Sequence, residues 1–292
     1  MKIAGFTFIK NAIKNDYPIV EAINSILPIC DEFVIAVGKS DDDTLKLIES
    51  INSAKIRIIE TVWDPKSRAG GAVFAQQTDI AFNAISSDID WAFYIQGDEC
   101  VHEKYLSVVK QEMQANLENT NVEGLLLKYK HFYGSYDFVA ESRRWYRREI
   151  RVIKKLPGIK SYKDAQGFRL DNRKIKVKLI EAYVYHYGWV KPPQGICSKM
   201  NNFNQYYKYD SFIEEYSPAP DDFDYGNADK LIRFTENPPA VMISRIEKAN
   251  WKFSIDPTKL EINKQLKKKL LLWIETKLGL RLFEYKNYRI VK

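Results

Sequence analysis

Cysteine and histidine are scarce in this 292-residue chain, at three each. Cys30, Cys100 and Cys197 are scattered, with no CxxC pair. That excludes a disulfide framework and a cysteine-built zinc site, and it fits a reducing compartment. Long apolar runs are missing: nothing approaches the roughly 20 residues that a membrane-spanning helix needs. The opening MKIAGFTFIKN turns polar too early for a secretory signal. The expectation is a cytoplasmic protein, at most peripheral on a membrane. No GxGxxG follows the first apolar run and no GxxxxGK[ST] occurs, which excludes the dinucleotide fingerprint and the P-loop. Internal repeats, low-complexity tracts and nucleic-acid recognition motifs are also lacking, so no nucleic-acid partner is expected.

What is present is enough for a sizeable core, with 45% hydrophobic residues. The length allows one large domain, or a domain with an elaborated tail. A formal net charge of +7 favours anionic partners such as nucleotides, phosphates or a membrane surface. A plain basic bias is the simpler account.

The first part alternates strand and helix patterns. Strands are expected at 3–9, 32–37, 56–60 and 91–95. Helices are expected at 18–27, from the Ser40-Asp41-Asp42-Asp43-Thr44 turn to 51, at 70–84 and at 103–117. Ser40 or an early Asp suits the second helix as N-cap. This spacing predicts an α/β fold: a mostly parallel central sheet flanked by helices on both faces. After about residue 120 the pattern changes to a mixed, aromatic-rich half, with strands at 122–129, 150–154 and 179–185. Residues 191–239 read as irregular, with short helices. The chain closes on a basic amphipathic helix whose stripe is Ile262, Leu266, Leu270, Trp273, Ile274 and Leu278. That helix either packs on the sheet or lies on an anionic membrane.

Gln96-Gly97-Asp98-Glu99 directly follows the strand at 91–95. Acidic groups at the carboxyl end of a buried strand are poorly placed for packing. They are well placed to hold a divalent cation against phosphate oxygens, and ligands of open α/β sheets gather at that end. The plainer reading is an acidic turn capping the helix that starts near His102. His186, in Tyr185-His186-Tyr187-Gly188-Trp189, is a second candidate ligand or a satisfied core histidine. Arg143, Arg144, Arg147, Arg148 and Arg151 surround Trp145 and Tyr146; their forks match phosphate oxygens, or they form a solvated edge paired with Glu141 and Glu149. Trp189 and the aromatics between Tyr183 and Phe212 line a sugar groove or simply pack.

In order and placement these features resemble the family 2 glycosyltransferases, which have the GT-A fold. The carriers are Phe8-Ile9-Lys10-Asn11 after the first strand, the Ser40, Asp42 and Thr44 of an acidic turn after the second, and Gln96-Gly97-Asp98-Glu99 in the slot of the DxD metal motif. The match covers about residues 1–115 well and extends loosely to about 190. It departs from the family at Ala12, Gly38 and Gln96. The resemblance implies a nucleotide-binding half (1–115), an acceptor half (116–190) and a C-terminal extension (191–292). It implies transfer of a sugar from a nucleotide-diphosphate donor to a saccharide or glycolipid acceptor in surface glycoconjugate synthesis, with inversion. The cofactor would be Mn2+ or Mg2+ on Asp98, with His186 and Glu99 beside it. Ile9, Asn11, Ser40, Asp42, Gln96 and Arg147 would meet the donor. Asp164 would be the base, with Asp137 and Glu141 as runners-up. Two other readings stay open: a nucleotidyltransferase, or a non-catalytic member that binds carbohydrate or a partner protein.

Overall fold

The computed structural model describes residues 1–64, 67, 69–204, 230–251, 253, 266–278 and 281–291. The first half is built from β1 (Ile3–Ile9), α1 (Ile19–Ile26), β2 (Glu32–Gly38), α2 (Thr44–Glu49), β3 (Ile56–Thr61), α3 (Ala72–Asn83) and β4 (Trp91–Tyr94). β1 pairs in parallel with β2 and β4, and β2 in parallel with β3, giving the order β3-β2-β1-β4.

Alternating side chains on these strands feed two separate cores, because successive residues of a strand point to opposite faces. Phe33, Ile35, Val37, Trp91 and Phe93 pack with α1 on one face. Phe6, Val34, Ala36 and Tyr94 pack with α3 on the other. Burial on both faces is what a parallel sheet between helices requires. The helix expected from Gly70 starts at Ala72 instead. Gly70 (φ 62°) and Gly71 (φ 74°) hold left-handed backbone that glycine adopts without strain, and this ends the approach to the helix.

The second half is mixed. It contains β5 (Glu99–Val101), α4 (Leu106–Ala115), β6 (Gly124–Tyr133), β7 (Ser135–Ala140), β8 (Arg148–Lys154), β9 (Ile159–Tyr162), β10 (Gly167–Leu170), β11 (Arg173–Lys174) and β12 (Lys176–Trp189). Then come α5 (Pro193–Asn204), β13 (Leu231–Arg233), α6 (Ile243–Glu247), α7 (Leu266–Leu278) and β14 (Arg289–Ile290). β8 joins the parallel half by pairing antiparallel with β4, and β6 pairs antiparallel with β8. β12 runs parallel to β6, and β5 lies antiparallel on β12. The result is an eleven-stranded sheet, with β9, β10 and β11 as a separate small one. From the C-terminal segment, β13 adds to β7 and β14 to β12.

No described helix is long and apolar enough to cross a membrane. On α7, Leu270, Trp273 and Leu278 are exposed, whereas Glu275 turns inward to Arg143. Ile262 of the expected stripe lies outside the described residues.

β8 carries a group that sequence reading misplaced. Glu149 was expected to pair with arginines at a solvated edge. Instead it is 3% exposed, and one of its carboxyl oxygens has no hydrogen-bond partner. Burial pushes its pKa up to about 8, against the pull of Arg151. The folded protein therefore retains a proton that the unfolded chain releases near pH 4.5, and stability falls as pH rises between those values. Glu149→Gln removes that dependence. Its melting temperature should exceed that of the wild type by several degrees at pH 8, with the gap closing towards pH 4.5, as read by thermal melts across pH. A constant gap would contradict the assignment.

Candidate functional site

The carboxyl ends of β1, β2 and β4 meet at one edge of the sheet. The loops after β1 and β2 are tied to each other. Asn11 N–H donates to Ser40 Oγ (2.9 Å), and Asp41 N–H to Asn11 Oδ1 (2.8 Å). Ala12 N–H donates to Thr44 Oγ1 (2.7 Å) and Lys14 N–H to Asp42 Oδ2 (2.8 Å). Asn11 takes left-handed backbone (φ 51°), which asparagine tolerates better than most residues. Asn11, Ser40 and Asp42, expected to meet a nucleotide, thus spend much of their bonding capacity on locking the two loops. Two glycines allow close approach at this edge. A Cβ on Gly97 would fall 2.9 Å from Ile9 Cδ1, and one on Gly38 would fall 2.4 Å from Trp63 Nε1. The Trp63 indole fills the space that a side chain at position 38 would need.

The tetrapeptide divides into two parts with different roles. Glu99 is fully buried at the start of β5. Its oxygens receive Arg151 Nε (2.8 Å) and Nη2 (2.7 Å), the Tyr129 hydroxyl (2.7 Å) and Gln96 N–H (3.1 Å). Arg151 lies over the rings of Tyr94 and Tyr129. With its acceptors filled in this way, Glu99 is not offered to a metal or a sugar hydroxyl, and Arg151 is not offered to phosphate. The Gln96 amide lies 3.4 Å from both the Tyr94 hydroxyl and Ala165 O. The acidic turn does not cap the helix: His102 accepts from Lys104 N–H at the 3-10 turn Glu103–Tyr105, and α4 begins without a side-chain cap.

Asp98 points the other way. Its Oδ2 lies 3.0 Å from Lys199 Nζ on α5 and 3.6 Å from His186 Nε2 on β12. Lys199 also donates to Gly188 O (2.9 Å). Gly188 is what leaves room for this cluster: a Cβ there would fall 2.4 Å from Asp98 Oδ2 and 2.6 Å from Lys199 Nζ. Burial alone would raise the Asp98 pKa. The positive charge of Lys199 beside it more than offsets this and holds the carboxyl well below the usual carboxylate range.

His186 rests on His131 through their Nδ1 atoms (3.2 Å), and His131 Nε2 lies 2.7 Å from Tyr146 O. Burial lowers both histidines, His186 to about 4 and His131 to about 3, so both are neutral at pH 7. A carbonyl only accepts, so His131 carries its proton on Nε2 and its Nδ1 accepts. His186 then carries its proton on Nδ1, and its Nε2 offers a lone pair on the side of Asp98. Two acceptors face each other, and the ammonium of Lys199 lies against Asp98 beside them. Lys191, 1% exposed, is close by: its Nζ is bonded to Asp16 O and lies over the Tyr17 ring, as Lys199 does. Burial, reinforced by Lys199, lowers Lys191 to about 7.

The other expected residues fall elsewhere. The loop holding Asp164 reaches Gln96 through Ala165 O, with Lys163 and Ala165 in left-handed backbone. Asp137 and Glu141 lie on and just after β7. Asp137 bonds to Ser135, and Glu141 pairs with Lys230; neither contact is with the Asp98 cluster. Arg147 is held by Glu284 (3.0 and 2.8 Å), which raises its pKa and commits its fork. Lys199, Lys191 and Gly188 carry no mark in the sequence, and His131 has a weaker claim there than His186. No local pattern marks two lysines on an irregular stretch as neighbours of an aspartate about a hundred positions earlier.

A divalent cation fits this arrangement poorly. Among the described residues no three His, Cys, Asp or Glu side chains converge. Gln96 and Glu99 turn away, and Lys199 holds the one carboxylate left.

Neither a protein-family model nor a curated protein sequence matches the chain. Among solved structures, TarS (residues 1–349) of S. aureus is 15% identical, with a TM-score of 0.39, over 70% of this chain and 64% of that one. Glucosyl-3-phosphoglycerate synthase from Mycobacterium tuberculosis, in complex with Mn2+, UDP and glucosyl-3-phosphoglycerate, is 19% identical over 46% and 45%, with a TM-score of 0.30. A 4-diphosphocytidyl-2C-methyl-D-erythritol synthase from Anaerococcus prevotii is 14% identical over 65% and 91%, with a TM-score of 0.40. This chain thus spans under two thirds of the TarS fragment. With TM-scores below 0.5, these likenesses leave the functional reading to the chain's own geometry.

Arg151→Met strands the Glu99 carboxylate in the core and should cost about 3–5 kcal/mol in denaturant melts. Glu99→Leu together with Arg151→Met should recover most of that loss. Additive losses in the double variant would contradict the pair's isolation from solvent.

Proposed function

We propose that this protein is a GT-A-type glycosyltransferase that moves a sugar from a nucleoside-diphosphate donor to a saccharide or glycolipid acceptor. The observation that carries the reading is Asp98. It stands at the carboxyl edge of a parallel sheet, beside two interlocked loops, in a cluster of buried lysines and a neutral histidine. Sugar transfer needs a place where diphosphate charge is met as it develops, and such preorganised charge is the largest lever available.

In the proposed reaction, an acceptor hydroxyl oxygen attacks the anomeric carbon while the bond to the diphosphate oxygen breaks. The electron pair leaves with the diphosphate, and the hydroxyl proton passes to Asp164, whose loop abuts Gln96. Attack opposite the leaving group inverts the anomeric centre. The Mn2+ or Mg2+ that the family resemblance implies finds one carboxylate already held by Lys199, so no step is routed through it. Residues 1–115 form the donor half and 116–190 the acceptor half, with 191–292 as an extension, acting in the cytoplasm. Exposed Leu270, Trp273 and Leu278 on α7 suit a peripheral contact with the inner membrane face, where glycoconjugate acceptors gather.

Thermal shift and calorimetry with UDP, GDP, CDP, ADP and their sugar conjugates test this. One nucleotide series should stabilise the wild type, and Asp98→Ala should weaken it at least about tenfold. Asp164→Asn should lower the rate of donor turnover about 10²-fold or more while leaving donor affinity intact. Binding without turnover in any acceptor screen would favour a non-catalytic carbohydrate-binding role. Release of pyrophosphate from a nucleoside triphosphate and sugar phosphate would favour a nucleotidyltransferase.

A further inference from the structure

Resting on the nucleotide-sugar reading, we propose that Lys199 is a tethered cation that binds the donor diphosphate in the position the fold otherwise gives to a divalent metal. Three independent features converge on it. The first is the donor set. Of the two acids in Gln96-Gly97-Asp98-Glu99, Glu99 is filled by Arg151, Tyr129 and Gln96 N–H. Asp98 is left as the one carboxylate facing the cluster, and the His131–His186 relay turns a lone pair toward it. That pair of acceptors calls for a positive centre.

The second feature is what supplies it. Lys199 Nζ lies 3.0 Å from Asp98 Oδ2 and 2.9 Å from Gly188 O. The side chain comes from α5, is largely buried, and passes between the rings of Tyr17 and Trp189. Gly188 keeps the space open by lacking a Cβ. Built from four separate segments, this seat places the ammonium where a surface lysine could not be held. An ammonium donates hydrogen bonds to phosphate oxygens and carries charge without needing the several oxygen ligands that Mg2+ or Mn2+ demands.

The third feature is the charge balance. Lys191 and Lys199 both lie over the Tyr17 ring; Asp98, mostly buried, pairs with Lys199, and Asp16, 3.9 Å from Lys191, is half exposed. Burial first, and then the charge of Lys199, lowers the Lys191 pKa. A diphosphate arriving here is met by both lysines. Asp98 then acts as a positioning residue that aims Lys199.

Calorimetry of the full chain with nucleoside diphosphates, in EDTA and in Mn2+, separates the cases, with electron paramagnetic resonance counting free Mn2+. The expected result is equal nucleotide affinity in EDTA and in Mn2+, with no Mn2+ taken up by the protein. Lys199→Met should lower that affinity at least about tenfold, while binding of the parent nucleoside stays unchanged. Lys199→Arg should restore most of it. Because Lys199→Met leaves Asp98 buried and unpaired, Asp98→Asn with Lys199→Met serves as the folded control and should bind as weakly. Nucleotide binding that requires Mn2+, or that survives loss of Lys199, overturns this inference and leaves the donor reading standing. Failure of every nucleoside diphosphate and of inorganic pyrophosphate to bind overturns both.

Discussion

The buried Glu99–Arg151 ion pair is the constraint on which the site depends. Two charges taken out of water are tolerated only when every lone pair is met. Here Arg151 meets Glu99 through two nitrogens, Tyr129 adds a third donor and the Gln96 backbone a fourth. The pair ties β8 to the start of β5 and so fixes the turn between β4 and β5. With Glu99 drawn into the core, Asp98 is left on the opposite side, facing β12 and α5. An acidic motif thus becomes a structural anchor and one carboxylate turned toward Lys199 and His186.

That division was half legible in the sequence. The parallel half could be read because its strands are short apolar runs buried on both faces, and its helices carry apolar stripes of period 3.6. α1 is the clearest case, with Ile19, Ile23 and Ile26 all buried. The mixed half was harder. β7, β9, β10 and β13 are short and carry polar or aromatic residues, and β13 finds its partner, β7, far back along the chain. β5 is hidden in the sequence because its three residues, Glu99 to Val101, show no strand pattern of their own; its backbone pairs with β12, and Arg151 of β8 holds its first residue.

The site was legible where backbone topology decides it and illegible where side chains do. Position at a strand's carboxyl end pointed to Asp98, and a His at the end of a late strand pointed to His186; the structure brings these two together. It does not bring Asp137, Glu141 or Arg147 to them. Those residues are spent on local turns and surface ion pairs, choices made by neighbours that sequence spacing does not reveal. Asn11, Ser40 and Asp42 fall at the expected edge, yet their bonds lock the two loops together, Asp42 through Lys14 N–H. Lys199 carried no signal, because its partner is created by the path of the chain after β12.

The central claim is that the positive charge at Asp98 belongs to the protein itself. Its most direct test is a crystal structure of the protein with a bound nucleoside diphosphate and Mn2+, read by anomalous scattering at the manganese edge. The account predicts a phosphate oxygen within hydrogen-bond distance of Lys199 Nζ, Lys199 still beside Asp98, and no anomalous peak there. A manganese peak ligated by Asp98 and the diphosphate, with Lys199 displaced, would contradict it.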